Sequence, residues 1–268
     1  MSLGYIPPVP RLRLPARRGN PWVLAPWNDT VTDSHGSHKG GRGGLILDLD
    51  DTLYPRERFV MSGFAAVARH VGVAHGISVE LAYGILRRTH ATARRGQEFQ
   101  VLCDQTGLSR DVLPSLVDIF RRHMPTLWLN HGVVDALHRL RAAGWRLAIL
   151  TNGLPSVQFR KIAALGLTSL VDEVVYAEEH VAGGKPAAAA FKAVLRSLEL
   201  SAEQCICVGD DLVRDVRGAR ALGIRTIRVA RAGAAAAPGE DADMVIDSFR
   251  DLPDAARLLQ DTVTADVA

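Results

Sequence analysis

Leu45-Ile46-Leu47-Asp48-Leu49-Asp50-Asp51-Thr52 is an apolar run that turns acidic within four residues. A run of this length, preceded by Gly43-Gly44, reads as a buried strand entering a polar turn. In extended backbone residues i and i+2 point the same way, so Asp48 and Asp50 share a face while Asp51 looks elsewhere. Downstream, strand-like pieces at 145–150, 171–176, 205–208, 225–229 and 244–246 alternate with helix-like pieces at 155–165, 186–198 and 212–222. Alternation of this kind predicts α/β architecture, a Rossmann-like parallel sheet core with helices on both faces.

One block departs from that rhythm. From Phe59 to Met124 the periodicity is helical, with breaks at Gly76, Gly96 and Gly107 and a helix start at Ser109. A helical block inside a β/α pattern implies a small inserted cap domain at 55–126, between core segments 44–54 and 127–268. Residues 1–43 hold six of the thirteen prolines and read as a disordered Pro/Gly/Arg-rich tail. Its Arg-rich start is compatible with a transit peptide, but Pro15 opposes the amphipathic helix such a peptide needs. His35 and His38 read as linker residues there rather than as a metal site.

Composition narrows the class. The chain has 268 residues, 47% apolar, which excludes disorder over most of its length. Cys103, Cys205 and Cys207 are too few for a disulfide scaffold and point to a reducing, cytoplasmic setting. Cys205 and Cys207 share one strand face, which implies burial rather than redox work. No apolar run reaches the ~18 residues of a membrane span. The net charge of +3 belongs to the first 44 residues, which carry six bases and two acids. The rest has 26 bases against 27 acids, so no nucleic-acid partner is expected.

In such sheets ligands bind at the carboxyl ends of the strands. Four such ends carry polar groups: Asp48 and Asp50; Thr151-Asn152-Gly153; Gly183-Gly184-Lys185-Pro186; and Gly209-Asp210-Asp211 with Asp215 behind it. Each alone has a plainer reading as a solvated turn or a helix N-terminal charge, and Pro186 suits a first helical turn. Four in order, each at a strand end, point to one site. Carboxylates so crowded, with Lys185 as their only obvious positive neighbour, need a cation. All-oxygen ligation suits Mg²⁺. Lysine is scarce, four against 28 arginines, so Lys185 reads as a wanted point charge. Metal-assisted phosphoryl transfer is the chemistry these groups imply.

Over residues 44–250 the chain resembles the haloacid dehalogenase-like hydrolases, through DLDDT, TNG, GGKP and GDDLVRD. The insert resembles the family's smaller cap. The resemblance implies that Asp48 is the nucleophile and Asp50 the general acid and then base, with a raised pKa or a hydrogen bond to hold its proton. It implies Thr151 and Lys185 on the phosphoryl oxygens, with Asn152 beside them. Mg²⁺ would be held by the Asp48 carboxylate, the Asp50 carbonyl and Asp210, with Asp211 and Asp215 acting through water. Thr52 would fix the loop, and Arg214, a departure from many relatives, would pair with a neighbouring acid. The expected activity is hydrolysis of a small phosphorylated metabolite, with Leu53-Tyr54-Pro55 weakly similar to pyrimidine 5′-nucleotidase-like members. Arg94 and Arg95 are the candidate cap contacts to substrate, against a plainer reading as an exposed helix end. Asp50 argues against a 2-haloacid dehalogenase, since a halide needs no proton. The absence of lysine between Tyr54 and Met124 argues against phosphonate hydrolysis. A non-catalytic phosphometabolite-binding regulator, docked by the basic tail, is the alternative from another class.

Overall fold

A computed structural model of the chain describes residues 42–230 and 242–266. The stretch read as a tail, with His35 and His38, lies outside the described residues except for its last two. The fold opens with β1 (Gly43–Leu47), followed by α1 (Arg56–His75), α2 (Val79–His90), α3 (Glu98–Thr106), α4 (Leu113–Arg122) and α5 (Val133–Ala142). Strands and helices then alternate as β2 (Trp145–Thr151), α6 (Pro155–Ala164), β3 (Glu173–Tyr176), α7 (Ala188–Leu198) and β4 (Cys205–Gly209). A π-helical turn (Leu212–Arg217) runs into α8 (Gly218–Arg220), and β5 (Arg225–Val229), β6 (Met244–Ile246) and α9 (Leu252–Asp266) follow.

The six strands form one sheet in the order β3-β2-β1-β4-β5-β6, every pair parallel. The period-2 alternation of side chains accounts for apolar residues at nearly every strand position. Leu45, Leu47, Leu147, Ile149, Ile206 and Val208 face one side, where Val133, Leu137 and Leu140 of α5 and Leu252 of α9 cover them. Ile46, Ala148, Leu150, Cys205 and Cys207 face the other, under Phe191 and Val194 of α7. The two strand cysteines are free thiols, and burial pushes Cys205 up to about 11. No helix among the described residues is long and apolar enough to cross a membrane.

The structure differs locally from the sequence pattern in three places. The Lys185–Pro186 peptide is cis, Pro186 belongs to a turn, and α7 begins only at Ala188. The regular helix expected over 212–222 is instead a π turn, in which Val216 N–H donates to Asp211 O, followed by the short α8. Such one-turn widenings recur at functional sites because they re-aim a side chain. An element that periodicity does not single out is α5, whose apolar face is buried on the sheet.

Helices α1–α4 gather around an apolar cluster of their own, built on Phe64, Val67, Val71, Leu86, Leu102 and Leu116. The breaks at Gly76 and Gly107 are the ends of α1 and α3. Ser109 accepts from Asp111 N–H and opens a 3₁₀ turn (Arg110–Val112) that leads into α4. Phe64 is the hub, with its ring 5.4 Å from His90, 6.3 Å from Phe99 and 5.8 Å from Phe120. Truncating it leaves a cavity that three helices cannot close together. Phe64→Ala is expected to cost about 3 kcal/mol or more, read as a lower urea midpoint; an unchanged midpoint would refute the hub role.

Candidate active site

The strand order places a switch point between β1 and β4, because β2 and β3 extend the sheet on one side and β5 and β6 on the other. Crevices at such points receive ligands. Leu47 pairs with both Ile149 and Val208, so Asp48 leaves the sheet between the strands that carry Thr151 and Asp210. Its N–H still donates to Val208 O at 2.9 Å. The chain then turns sharply: Leu53 N–H returns to Leu49 O (3.0 Å) and Asp51 N–H to Tyr54 O (2.8 Å), with Asp51 at φ 66°. Aspartate tolerates this left-handed conformation better than most residues. Thr52 Oγ1 donates to Asp48 Oδ2 (3.1 Å) and lies 3.4 Å from Asp210 Oδ1, so it ties the loop to the far side of the crevice.

Lys185, 3% exposed, stands between two carboxylates, with Nζ 2.6 Å from Asp48 Oδ1 and 2.7 Å from Asp215 Oδ1. Asn152 puts it there. Its Oδ1 accepts Lys185 N–H (2.9 Å), and its Nδ2 donates to Gly183 O (3.2 Å) and Lys185 O (3.0 Å). Gly184 has φ +62°, and a Cβ there would lie 2.6 Å from Asn152 Oδ1. The amide expected beside the substrate therefore holds the lysine loop, although Asn152 still lines the crevice. Thr151 Oγ1, fully buried, accepts from Gln158 Nε2 at 2.5 Å.

Asp211 and Asp215, expected as equivalent partners, are separated by the π turn. Asp211 Oδ1 accepts from Val213 and Arg214 N–H, while Oδ2 takes the Arg214 guanidinium at 3.0 Å. Burial alone would raise its carboxyl, but these donors and the Arg214 charge lower it. Asp215 turns inward at 2% exposure and accepts Asp211 N–H (3.1 Å). Gly209 makes the room, since a Cβ there would sit 2.3 Å from Asp215 Oδ2. Asp48, Asp210 and Asp215 each offer a carboxylate oxygen within 4.8 Å of the others.

Asp50 has a second cation that the sequence reading lacks. Lys161 of α6 reaches both its oxygens, at 2.9 and 2.8 Å, while Gln158 donates to Oδ2 (3.0 Å) and Tyr54 OH to Oδ1 (2.5 Å). Lys185 is thus not the only positive neighbour. Burial favours the neutral acid, but the Lys161 charge and these hydrogen bonds outweigh it and lower Asp50. Of the two expected means of holding its proton, a raised pKa or a hydrogen bond, the first is absent and the hydrogen bonds come from donors that favour the anion. Asp48 is the raised one, to about 6, through burial and the adjacent Asp215, with Lys185 opposing. Burial works against the charge on Lys185 too, yet Asp48 and Asp215 prevail and raise it. For Lys161 burial prevails over Asp50 and lowers it.

These groups open on a cavity of about 1030 Å³ between the sheet edge and the helical insert. From the insert it receives Arg56, Glu57, Phe59, Arg95, Phe120 and Arg121. Arg95 lines it as expected, drawn toward Glu57 (3.4 Å) and His90 Nε2 (2.7 Å). Arg94 does not line it; its Nε turns to Gln97 Oε1 (3.4 Å) on the exposed side of the loop. A second, more open groove of about 960 Å³, near Trp128, His138 and Arg250, contains none of these carboxylates.

The chain belongs to the haloacid dehalogenase-like hydrolases, whose family model matches residues 45–229. It is 29% identical over 214 residues to a glyceraldehyde 3-phosphate phosphatase of Methanocaldococcus jannaschii, covering 78% of this chain and 90% of the relative. It is 31% identical over 198 residues to a ribulose-1,5-bisphosphate 5-phosphatase of Halopiger xanaduensis, covering 68% and 82%. Among solved structures, a 2-haloacid dehalogenase of Pseudomonas syringae pv. Tomato superposes with a TM-score of 0.56 at 26% identity, covering 81% of this chain and 99% of that one.

The buried pair Asp50–Lys161 yields a stability test. Removing one partner strands the other, whereas neutralising both does not. Lys161→Met is expected to cost about 3 kcal/mol in urea unfolding, and adding Asp50→Asn to restore part of the loss. Strictly additive losses would contradict the pairing.

Proposed function

We propose that the chain is a Mg²⁺-dependent phosphatase that hydrolyses a small phosphomonoester through an aspartyl-phosphate on Asp48. The observation that carries this reading is the division of labour between two neighbouring carboxylates. Asp48 lies against Lys185 at the switch point, and Asp50 is held separately by Lys161, Gln158 and Tyr54. Groups whose surroundings push their pKa values apart are the usual mark of distinct nucleophile and acid/base roles. A halide leaves without a proton, so dehalogenation would give an Asp50 with three partners nothing to do. The named phosphatase activities of the two relatives support the same reading.

In the first step an Asp48 oxygen bonds to phosphorus while the bond to the ester oxygen breaks, and protonated Asp50 gives that oxygen its proton. In the second, Asp50 takes a proton from water, the water oxygen bonds to phosphorus, and the Asp48–phosphorus bond breaks. The partners of Asp50 favour its anion, which is the form the second step needs. Lys185 and Thr151 are assigned to the phosphoryl oxygens, with Asn152 fixing the lysine. Residues 55–126 would act as a cap over the core of 44–54 and 127–268. A cytoplasmic location is part of this reading, supported by three free cysteines.

The donor set fits Mg²⁺: three carboxylates of suitable spacing, without His or Cys. Asp48, Asp210 and Asp215 would hold the ion, together with the Asp50 carbonyl, so Asp215 moves from a water-mediated role to a direct one. When bound, the ion would neutralise charge on the phosphoryl oxygens.

Asp48→Asn is expected to abolish Mg²⁺-dependent phosphate release from p-nitrophenyl phosphate. Asp50→Asn should give a stoichiometric burst of p-nitrophenolate followed by turnover slowed about 10²–10⁴-fold, and no burst with an alkyl phosphate. Turnover retained by Asp48→Asn, unslowed turnover in Asp50→Asn, or a pure folded protein inactive on a broad phosphomonoester panel would refute the assignment. Metal binding has its own readout. A proton competes with the ion for Asp48, so thermal stabilisation by Mg²⁺ should be full at pH 7.5 and fade as pH falls through about 6. Asp210→Asn should remove it, and a pH-independent shift would contradict the ligand set.

A further inference from the structure

The cavity above Asp48 has two walls of opposite character. The sheet edge supplies the carboxylates, and both its lysines are engaged: Lys185 by Asp48 and Asp215, Lys161 by Asp50. The insert supplies Arg56, Arg95 and Arg121 against one acid, Glu57. Glu57 is already matched by Arg95 and His90. Arg56 and Arg121 are left over, both exposed on the cavity side, and neither guanidinium has an ion-pair partner among the described residues.

Two rings lie next to them on the same wall of the cavity. Phe59 lies over Lys161, with its ring centre 4.5 Å from Nζ, and meets Phe120 edge-on at 5.6 Å. Arg56 is one helical turn before Phe59 on α1, and Arg121 follows Phe120 on α4. Both guanidinium-bearing residues line the cavity beside this ring pair, and the Arg56 charge is close enough to act on Lys161 and Tyr54. A volume of about 1030 Å³ also far exceeds what one phosphate needs.

We propose that Arg56 and Arg121 form a subsite for a second anionic group, so that the preferred substrate is a phosphomonoester carrying a further carboxylate or phosphate a few carbon atoms away. This rests on the phosphatase reading and narrows its substrate class. Planar guanidinium forks suit both acid groups, and a short carbon chain or sugar would lie along the Phe59–Phe120 wall. Binding at this subsite holds substrate and transition state alike, which lowers KM.

Matched pairs test it with the full chain and Mg²⁺: 2-phosphoglycolate against 2-hydroxyethyl phosphate for the carboxylate, and fructose 1,6-bisphosphate against fructose 6-phosphate for the second phosphate. In at least one pair the doubly anionic member is expected to have kcat/KM higher by about tenfold or more, through KM, with the ratio falling at high salt. Arg56→Gln with Arg121→Gln should bring that ratio close to one, and Arg→Lys at both positions should restore part of it. Which pair responds tells carboxylate from phosphate. Ratios near one in the native chain, or a ratio that survives in the double variant, would overturn the subsite. An equal loss on both members would also overturn it, assigning the arginines to the transferred phosphoryl group instead. No phosphate release from any ester, p-nitrophenyl phosphate included, would refute the phosphatase reading itself, and the subsite with it.

Discussion

The ammonium of Lys185 is the point on which the site is built. Asp48 and Asp215 are both largely buried and both within 2.7 Å of it. Two carboxylates this close repel strongly at low dielectric, and a buried charge without a partner costs several kcal/mol. Lysine loop and acids therefore have to be placed together. Asn152 clamps the loop, Gly184 lets it approach, and Gly209 leaves space for Asp215 to turn inward. The parallel sheet brings these segments, distant in sequence, to one edge because its order reverses between β1 and β4.

A single cation does not serve the whole cluster. Lys185 takes Asp48 and Asp215, and Lys161 takes Asp50, so two carboxylates two positions apart in sequence each have their own cation. The consequence is an inversion of the simplest expectation, with Asp48 raised by burial and by Asp215, and Asp50 lowered by Lys161. The turn at Asp51 makes this possible by sending Asp50 toward α6 while Asp48 stays at the switch point.

Much of this was legible in the sequence because the groups at the strand ends are contiguous in it. DLDDT, TNG and GDDLVRD each sit where an apolar run stops, GGKP follows the third such run after a short connection, and a parallel sheet must bring such stops to one edge. The alternation of Leu45, Ile46 and Leu47 likewise gave two covered faces. Contacts that depend on helix phase were not legible. Gln158 and Lys161 lie three residues apart on α6, and only the seat of that helix on the sheet turns them toward Asp50. One signal was present: the scarcity of lysine that marks Lys185 applies equally to Lys161. The π turn that divides Asp211 from Asp215 has no sequence signature, and Arg94 and Arg95 differ only in which neighbours, Gln97 or Glu57 and His90, capture each.

Every step of the chemistry rests on covalent phosphorylation of Asp48, and trapping that intermediate by acid quench is its test. In a single turnover in H₂¹⁸O with enzyme in excess, water attack at phosphorus puts ¹⁸O in the released phosphate and leaves the Asp48 peptide unlabelled, so quenching before the second step is the decisive arm. Acid quench during the turnover is expected to yield a hydroxylamine-sensitive phosphoryl group on the peptide containing Asp48, and turnovers left to finish are expected to release ¹⁸O-labelled phosphate. Phosphate labelled from water at the same rate as ester cleavage, with no phosphopeptide at any time, would contradict it.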